Sequence, residues 1–256
     1  TMPTFGERKF VLRIPGSPTG GPFGANGLIY HDEFLATEIG QIGTQFDGLG
    51  HIGIAVNGPG DKTQMRYYNG VTQLEIEGAT GLKKNSVDKL HPIAARGVLI
   101  DVAGAKGVAS LDAGYEITMA DVRDALAKQG LADFRFLPGD GVFFRTGWGV
   151  HWIKDNAKFN SGEPGIGMEV AKWLSDTVQA GVVGSDTWGL ENVPAKDAGC
   201  AFCVHAHLLT RHGIVNQENM DLDALATDKV WRFLYLYSPM PIVGATGSAG
   251  SPVAVK

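Results

Sequence analysis

The sequence is poor in features that mark several functional classes. It holds two cysteines, Cys200 and Cys203, in 256 residues, too few for a disulfide-stapled scaffold. A zinc site built on them lacks two further ligands at finger spacing, because His205 and His207 follow too closely. No thioredoxin-like start accompanies them. They are expected to be small, buried, reduced thiols in a strand leading to His205. Long apolar runs are missing too, so no segment reads as a membrane span. The formal net charge is −5, and no block of one sign occurs. That argues against nucleic acid or an anionic membrane and leaves a small molecule as the expected partner. There is no nucleophile elbow and no dinucleotide fingerprint. Segment 162–167 is glycine-rich, but it contains Pro164 and follows no clear strand, so it does not cradle phosphate. No cleavable signal pattern is in view, and the expectation is a soluble, cytoplasmic protein.

What is present points to one large α/β domain over residues 1–256. Hydrophobic residues make up 44 % of the chain, enough for a substantial core. The 36 glycines fall between apolar runs, as in a loop-rich enzyme. Short strands are expected at 10–14 and 27–30. Buried strands are expected at 94–103, 141–146 and 182–184, and a further strand at 230–243. Thr118 reads as a helix N-cap with Asp121 three residues on and Gly130 as the stop. A second helix is expected at 168–180, ended by Gly181, and shorter ones at 204–211, closed by Gly213, and at 222–226.

The most informative stretch is Gln41-Ile42-Gly43-Thr44-Gln45-Phe46-Asp47-Gly48-Leu49-Gly50-His51. Side chains with oxygen or nitrogen lone pairs recur at 41, 45, 47 and 51. In extended backbone Gln45 and Asp47 share one face. Gly48 and Gly50 let the chain bend and bring His51 back toward them. A carboxylate, an imidazole and two amides converging there suit a hard-to-borderline metal with a nearby base. Asp47 could equally cap an Asx turn, and His51 could be a loop histidine bonded to backbone.

The stretch resembles the signature H-x-G-T-H-x-D-x-P-x-H of the cyclase family, which includes kynurenine formamidases and isatin hydrolases. Gly43, Thr44, Asp47 and His51 match. Gln41 and Gln45 replace two histidines, and Leu49 replaces the proline. Blocks similar to the family's follow in order: Tyr68-Asn69-Gly70, Arg96 to Asp101, Pro138-Gly139-Asp140, Phe144 to Trp148, Gly184-Ser185-Asp186, His205 to Leu209, and Glu218-Asn219. The resemblance implies a swivelling β/β/α fold assembled as a homodimer or homotetramer. It implies Asp47, His205 and Glu218 as metal ligands and His51 as catalytic acid/base. Gln45 and Gln41 offer amide oxygens where the family has nitrogen. They could bind the ion or orient substrate, with Gln45 the better placed beside Asp47. That exchange favours one divalent ion over two and makes Mn²⁺ as suitable as Zn²⁺; a site without metal stays open. His207 could stand in for His205, although the two diverge if the segment is helical. Phe46, Trp148 and Trp188 could form the apolar wall, with His207, of a substrate pocket.

The implied activity is metal-dependent hydrolysis of a carbon–nitrogen bond in a small amide, such as a lactam, an imide or an aryl formamide. A lactone or ester hydrolase, a lyase or dehydratase, and a metal-poor binding protein are the alternatives.

Overall fold

The computed structural model describes residues 8–56 and 60–256. Its centre is an eight-stranded mixed sheet. The strands lie in the order Gly247–Ala249, Gln45–Asp47, Val215–Glu218, Val182–Ser185, Gly141–Arg145, Ile93–Asp101, Arg232–Tyr237 and Val253–Val255. The middle four, from Val215–Glu218 to Ile93–Asp101, are parallel. The strands flanking them on both sides pair antiparallel.

Side-chain alternation assigns the strands' apolar residues to two cores. Val98, Ile100, Val142, Phe144 and Val183 face one side, where they meet Val122, Leu126, Val170, Leu174 and Leu208 from three helical segments. Leu99, Phe143 and Val182 face the other side and pack with Phe46, Phe233, Tyr235 and Tyr237. Near-continuous apolar runs in the central strands are what a sheet buried on both faces requires. Each fully buried side chain of this kind contributes about 1.5–3 kcal/mol.

The helix Met119–Lys128 begins as expected. Thr118 accepts from the Asp121 backbone, and the Asp121 side chain accepts from the Thr118 backbone, which closes a capping box. Gly130 follows with a positive φ of 71°. The second helix runs through Met168–Lys172 and continues as a π-helical turn, Trp173–Val178. It stops at Gln179, which takes the left-handed conformation, rather than at Gly181. The third starts at Cys203–His205 and continues as a π-helix, Ala206–His212, closed by Gly213.

Two further expectations are corrected. The strand expected over 230–243 is only Arg232–Tyr237, and two short strands follow it. Cys200 and Cys203 do not lie in a strand, and they are not free thiols. A turn brings their Cα atoms to 5.6 Å and a disulfide joins them, within the usual span for such a bond. Both are half-buried. No helix among the described residues is long and apolar enough to cross a membrane.

A candidate metal centre and its cleft

The centre is built on an antiparallel pairing. Gln45 lies opposite Glu218, and Asp47 lies opposite Asn216. Directly opposed residues share a face, so all four side chains rise from the same side of the sheet. Phe46, between Gln45 and Asp47, points the other way and stacks on Tyr237 at 5.0 Å. The preceding turn is stapled to the end of the neighbouring strand. The Thr44 hydroxyl donates to the Asn219 carbonyl, and the Asn219 amide donates to the Gly43 carbonyl. After Asp47 the chain bends sharply, with the His51 N–H donating to the Gly48 carbonyl. Gly50 packs so closely on Leu82 and the Asn85 carbonyl that a Cβ there would require the Leu82 side chain to move.

The third ligand candidate arrives from the helical segment at 203. Phe202 adopts a left-handed conformation at the cap. The Glu191 carboxylate accepts from the backbone N–H groups of Val204 and His205, and takes the His205 Nδ1 at 2.7 Å. That contact aims Nε2 at the sheet, 2.9 Å from Glu218 Oε1 and 3.7 Å from Asp47 Oδ2. Donor atoms of Asp47, His205 and Glu218 lie within 4.8 Å of one another, and all three residues are buried.

The amides complete the arrangement. Gln41 donates to Asp47 Oδ1 at 2.9 Å, and Gln45 donates to Glu218 Oε2 at 2.7 Å and to Gln41 Oε1 at 3.1 Å. Each glutamine therefore holds one oxygen of a carboxylate. His51 stands at the mouth, 23 % exposed, with Nε2 3.7 Å from Asp47 Oδ1. Ile52, Trp188, Phe202 and Arg8 line the rest of a cleft of about 180 Å³.

Buried acid crowds this space. Glu163 and Glu191 join Asp47 and Glu218, all four nearly inaccessible. Burial, then the charge of Asp47, push the Glu218 carboxyl up to about 7. Burial and the charge of Glu218 hold Glu163 far above the carboxylate range. Burial would also raise Asp47, but His51, His205 and the Gln41 amide outweigh it and hold the group low. The carboxylates around His205 overcome its burial and hold its ring well above the ordinary histidine range.

This donor set fits a divalent cation. Asp47 Oδ2 is buried with no hydrogen-bond partner, and so is the whole amide of Asn216 on the same face. Such orphans are costly unless something pairs with them. A second carboxylate fixing the far nitrogen of the histidine is the arrangement that leaves Nε2 free for a metal. Excess buried negative charge calls for a cation as well.

The structure thus brings Gln41, Gln45, Asp47, His51, His205, Glu218 and Trp188 together. Phe46, Trp148 and His207, expected near substrate, lie elsewhere. Phe46 is in the core on the opposite face, because strand alternation puts it there. Trp148 is buried with Phe159. His207, two helical positions past His205, points away and meets Ser175 at 2.9 Å. Sequence reading gave no role to Glu163, Glu191 or Asn216. A glutamate within Gly162-Glu163-Pro164-Gly165, or next to Leu190, carries only the weak signal of acid beside nonpolar residues.

The Cyclase family model matches residues 2–192. A crystal structure described as a novel cyclase is 30 % identical, with a TM-score of 0.80 over 99 % of this chain and 84 % of that one. Isatin hydrolase A from Labrenzia aggregata, bound to benzyl benzoate, is 18 % identical, with a TM-score of 0.66 over 98 % of this chain and 84 % of that one. Isatin hydrolase A from Ralstonia solanacearum is 21 % identical, with a TM-score of 0.65 over 98 % and 84 %. At such identities the two hydrolases speak for the fold alone. No curated protein matches the sequence. With its α/β sheet, its Gly43-Thr44…Asp47…His51 frame and a family match over most of its length, this chain belongs to the cyclase family.

Proposed function

We propose that the protein is a metal-dependent hydrolase that opens a carbon–nitrogen bond in a small amide, with a cyclic amide such as a lactam or imide as the preferred class. The observation that carries this reading is the buried Asp47–His205–Glu218 set, with Asp47 Oδ2 lacking a hydrogen bond and Glu191 holding His205 by its far nitrogen. The choice of a cyclic amide is an analogy with the isatin hydrolases that share the fold.

Asp47, His205 and Glu218 would hold one ion. When bound, it supplies Lewis-acid polarisation of a carbonyl and lowers the pKa of water. Gln41 and Gln45 pin the outer carboxylate oxygens, so Asp47 and Glu218 keep one oxygen each turned inward. His51 is the proton carrier. It sits at the mouth against Asp47 Oδ1, where the carboxylate can orient the ring. It takes a proton from the attacking water and returns one to the leaving nitrogen. Ile52, Trp188 and Phe202 give the cleft an apolar side for a flat ring.

Two carboxylates with a single imidazole as the donor set should let Mn²⁺ serve at least as well as Zn²⁺. The test is chelator treatment, metal replacement and a screen of lactams, imides, aryl formamides and lactones. Turnover of amides that falls with EDTA and returns with Mn²⁺ is expected. Full activity in excess EDTA with no bound metal would overturn it. Tight binding of such compounds without turnover would identify a binding protein instead.

The same reading includes self-assembly as a homodimer or homotetramer. The paired strands Phe10–Arg13 and Phe34–Thr37 leave Leu12, Phe34 and Leu35 more than two-fifths exposed. A lone two-stranded ribbon is marginal in water. The far edge of the main sheet exposes Leu234, Val253 and Val255 to a similar degree. A second copy supplies an apolar partner for both surfaces.

A further inference from the structure

We propose that Asp176, His207 and His212 form a second divalent-metal site, on the outer surface of the helical layer and separate from the buried centre. Ligand atoms of the three lie within 4.8 Å of one another. The geometry comes from two π-helical turns. Asp176 lies on Trp173–Val178, and the two histidines lie five apart on Ala206–His212. Bonding from i to i+5 in such a turn brings residues five apart onto one face, and the two rings lie 4.4 Å apart. The Ser175 hydroxyl links the set, 2.7 Å from Asp176 Oδ1 and 2.9 Å from His207 Nε2. It can orient both, as outer partners of metal ligands do.

The chemistry selects the ion. Two imidazoles and one carboxylate suit Zn²⁺, Ni²⁺ or Cu²⁺ and serve Mg²⁺ or Ca²⁺ poorly. Lys172 and Arg211 also act on the His207 ring, which weakens binding of any cation, so the nitrogen donors must carry the selectivity. His207 is half-buried and the other two are exposed, so the ion reaches the site without rearrangement. Bound there, it would clamp the two π-helical turns together, and one of them continues directly from the turn that carries His205. The site also bears on how metal content is read: two ions per chain would not by themselves mean a two-metal catalytic centre.

The test is equilibrium dialysis of untagged protein against Zn²⁺, with elemental analysis of the native chain, His212→Asn, the double variant His207→Asn/His212→Asn, and Glu218→Gln. Copper EPR serves as a second readout. The native chain should hold two Zn²⁺. His212→Asn should weaken the outer site about tenfold or more and leave one ion and unchanged amide turnover. The double variant should lose the Cu²⁺ signal with two nitrogen ligands. Glu218→Gln should lose the buried ion and keep the outer one. Equal Zn²⁺ binding and EPR spectra in the native chain and the double variant would overturn the outer site and leave the buried one standing. Loss of zinc in the histidine variants but not in Glu218→Gln would support the outer site and remove the basis of the proposed function.

Discussion

Asp47 shows how much one residue is asked to do. Its Oδ1 accepts from Gln41 and faces His51, while its Oδ2 has no hydrogen-bond partner and lies 3.7 Å from the His205 Nε2. His51 lies 3.7 Å from this carboxylate at the cleft mouth and is not part of the clustered Asp47–His205–Glu218 set. Removing it should therefore cost proton transfer and spare the ion. His51→Ala is expected to lower kcat about 10²–10⁴-fold while metal content per chain stays at the native value. Stoichiometric loss of metal in that variant would make His51 a ligand. Gln45 is the second informative residue. Its amide nitrogen lies 2.7 Å from Glu218, so an imidazole there would bring a nitrogen donor to the edge of the centre. Gln45→His is expected to tighten Zn²⁺ binding about tenfold, read by competition with a chromophoric chelator. A raised KM with unchanged zinc affinity would instead place Gln45 against substrate.

At the scale of elements, Asp186 ties together the ends of two central strands. Its carboxylate accepts from the Thr146 backbone at 2.9 Å, the Thr146 hydroxyl at 2.6 Å and the Gly147 backbone at 2.7 Å. Burial nevertheless prevails over these donors and pushes the group up to about 6. In the unfolded chain it titrates near 4. The folded state therefore binds the extra proton between those values. Its contribution to stability is fully present below about pH 4 and is lost as pH rises through about 6, by roughly 3 kcal/mol in all. Urea denaturation of the native chain and of Asp186→Asn across pH 4–7 checks this. The native slope should be more negative between 4 and 6 by about one proton. Parallel slopes would show that Asp186 is ionised throughout. The capping box at Thr118 is a smaller contribution of the same scale, about 1 kcal/mol.

For the molecule as a whole, the exposed apolar ribbon sets the expectation. Light scattering after size exclusion should give a mass of two or four chains. Leu12→Glu combined with Phe34→Glu should shift it to one chain, because a charge would be buried without a partner in each contact. A native monomer at micromolar concentration would remove the assembly from the proposal. Leu12 and Phe34 lie outside the sheet that carries the site, so metal content of the charged variant separates loss of assembly from loss of folding.

Local chemistry was legible in the sequence wherever it depended on neighbours along the chain. The apolar runs at Gly141–Arg145 and Val182–Ser185 read as buried strands because both faces are covered. Thr118 and Asp121 read as a cap because the box closes within three residues. Gln45 and Asp47 read as sharing a face because strands alternate, and that same alternation excludes Phe46 from the cleft. The family frame added His205 and Glu218. Only the tertiary structure decided the rest, since the remaining features join separate elements or depend on the hydrogen bonding that a helical turn adopts. Glu218 meets Gln45 through the register of two antiparallel strands 173 residues apart. Glu191 meets His205 because it caps the helical turn that carries His205. His205 rather than His207 enters the centre because a helical turn points them apart, and π-helical bonding then delivers His207 to His212. Spacing along a chain carries no information about such meetings. They follow from which strand edges pair and which helix face finds the sheet.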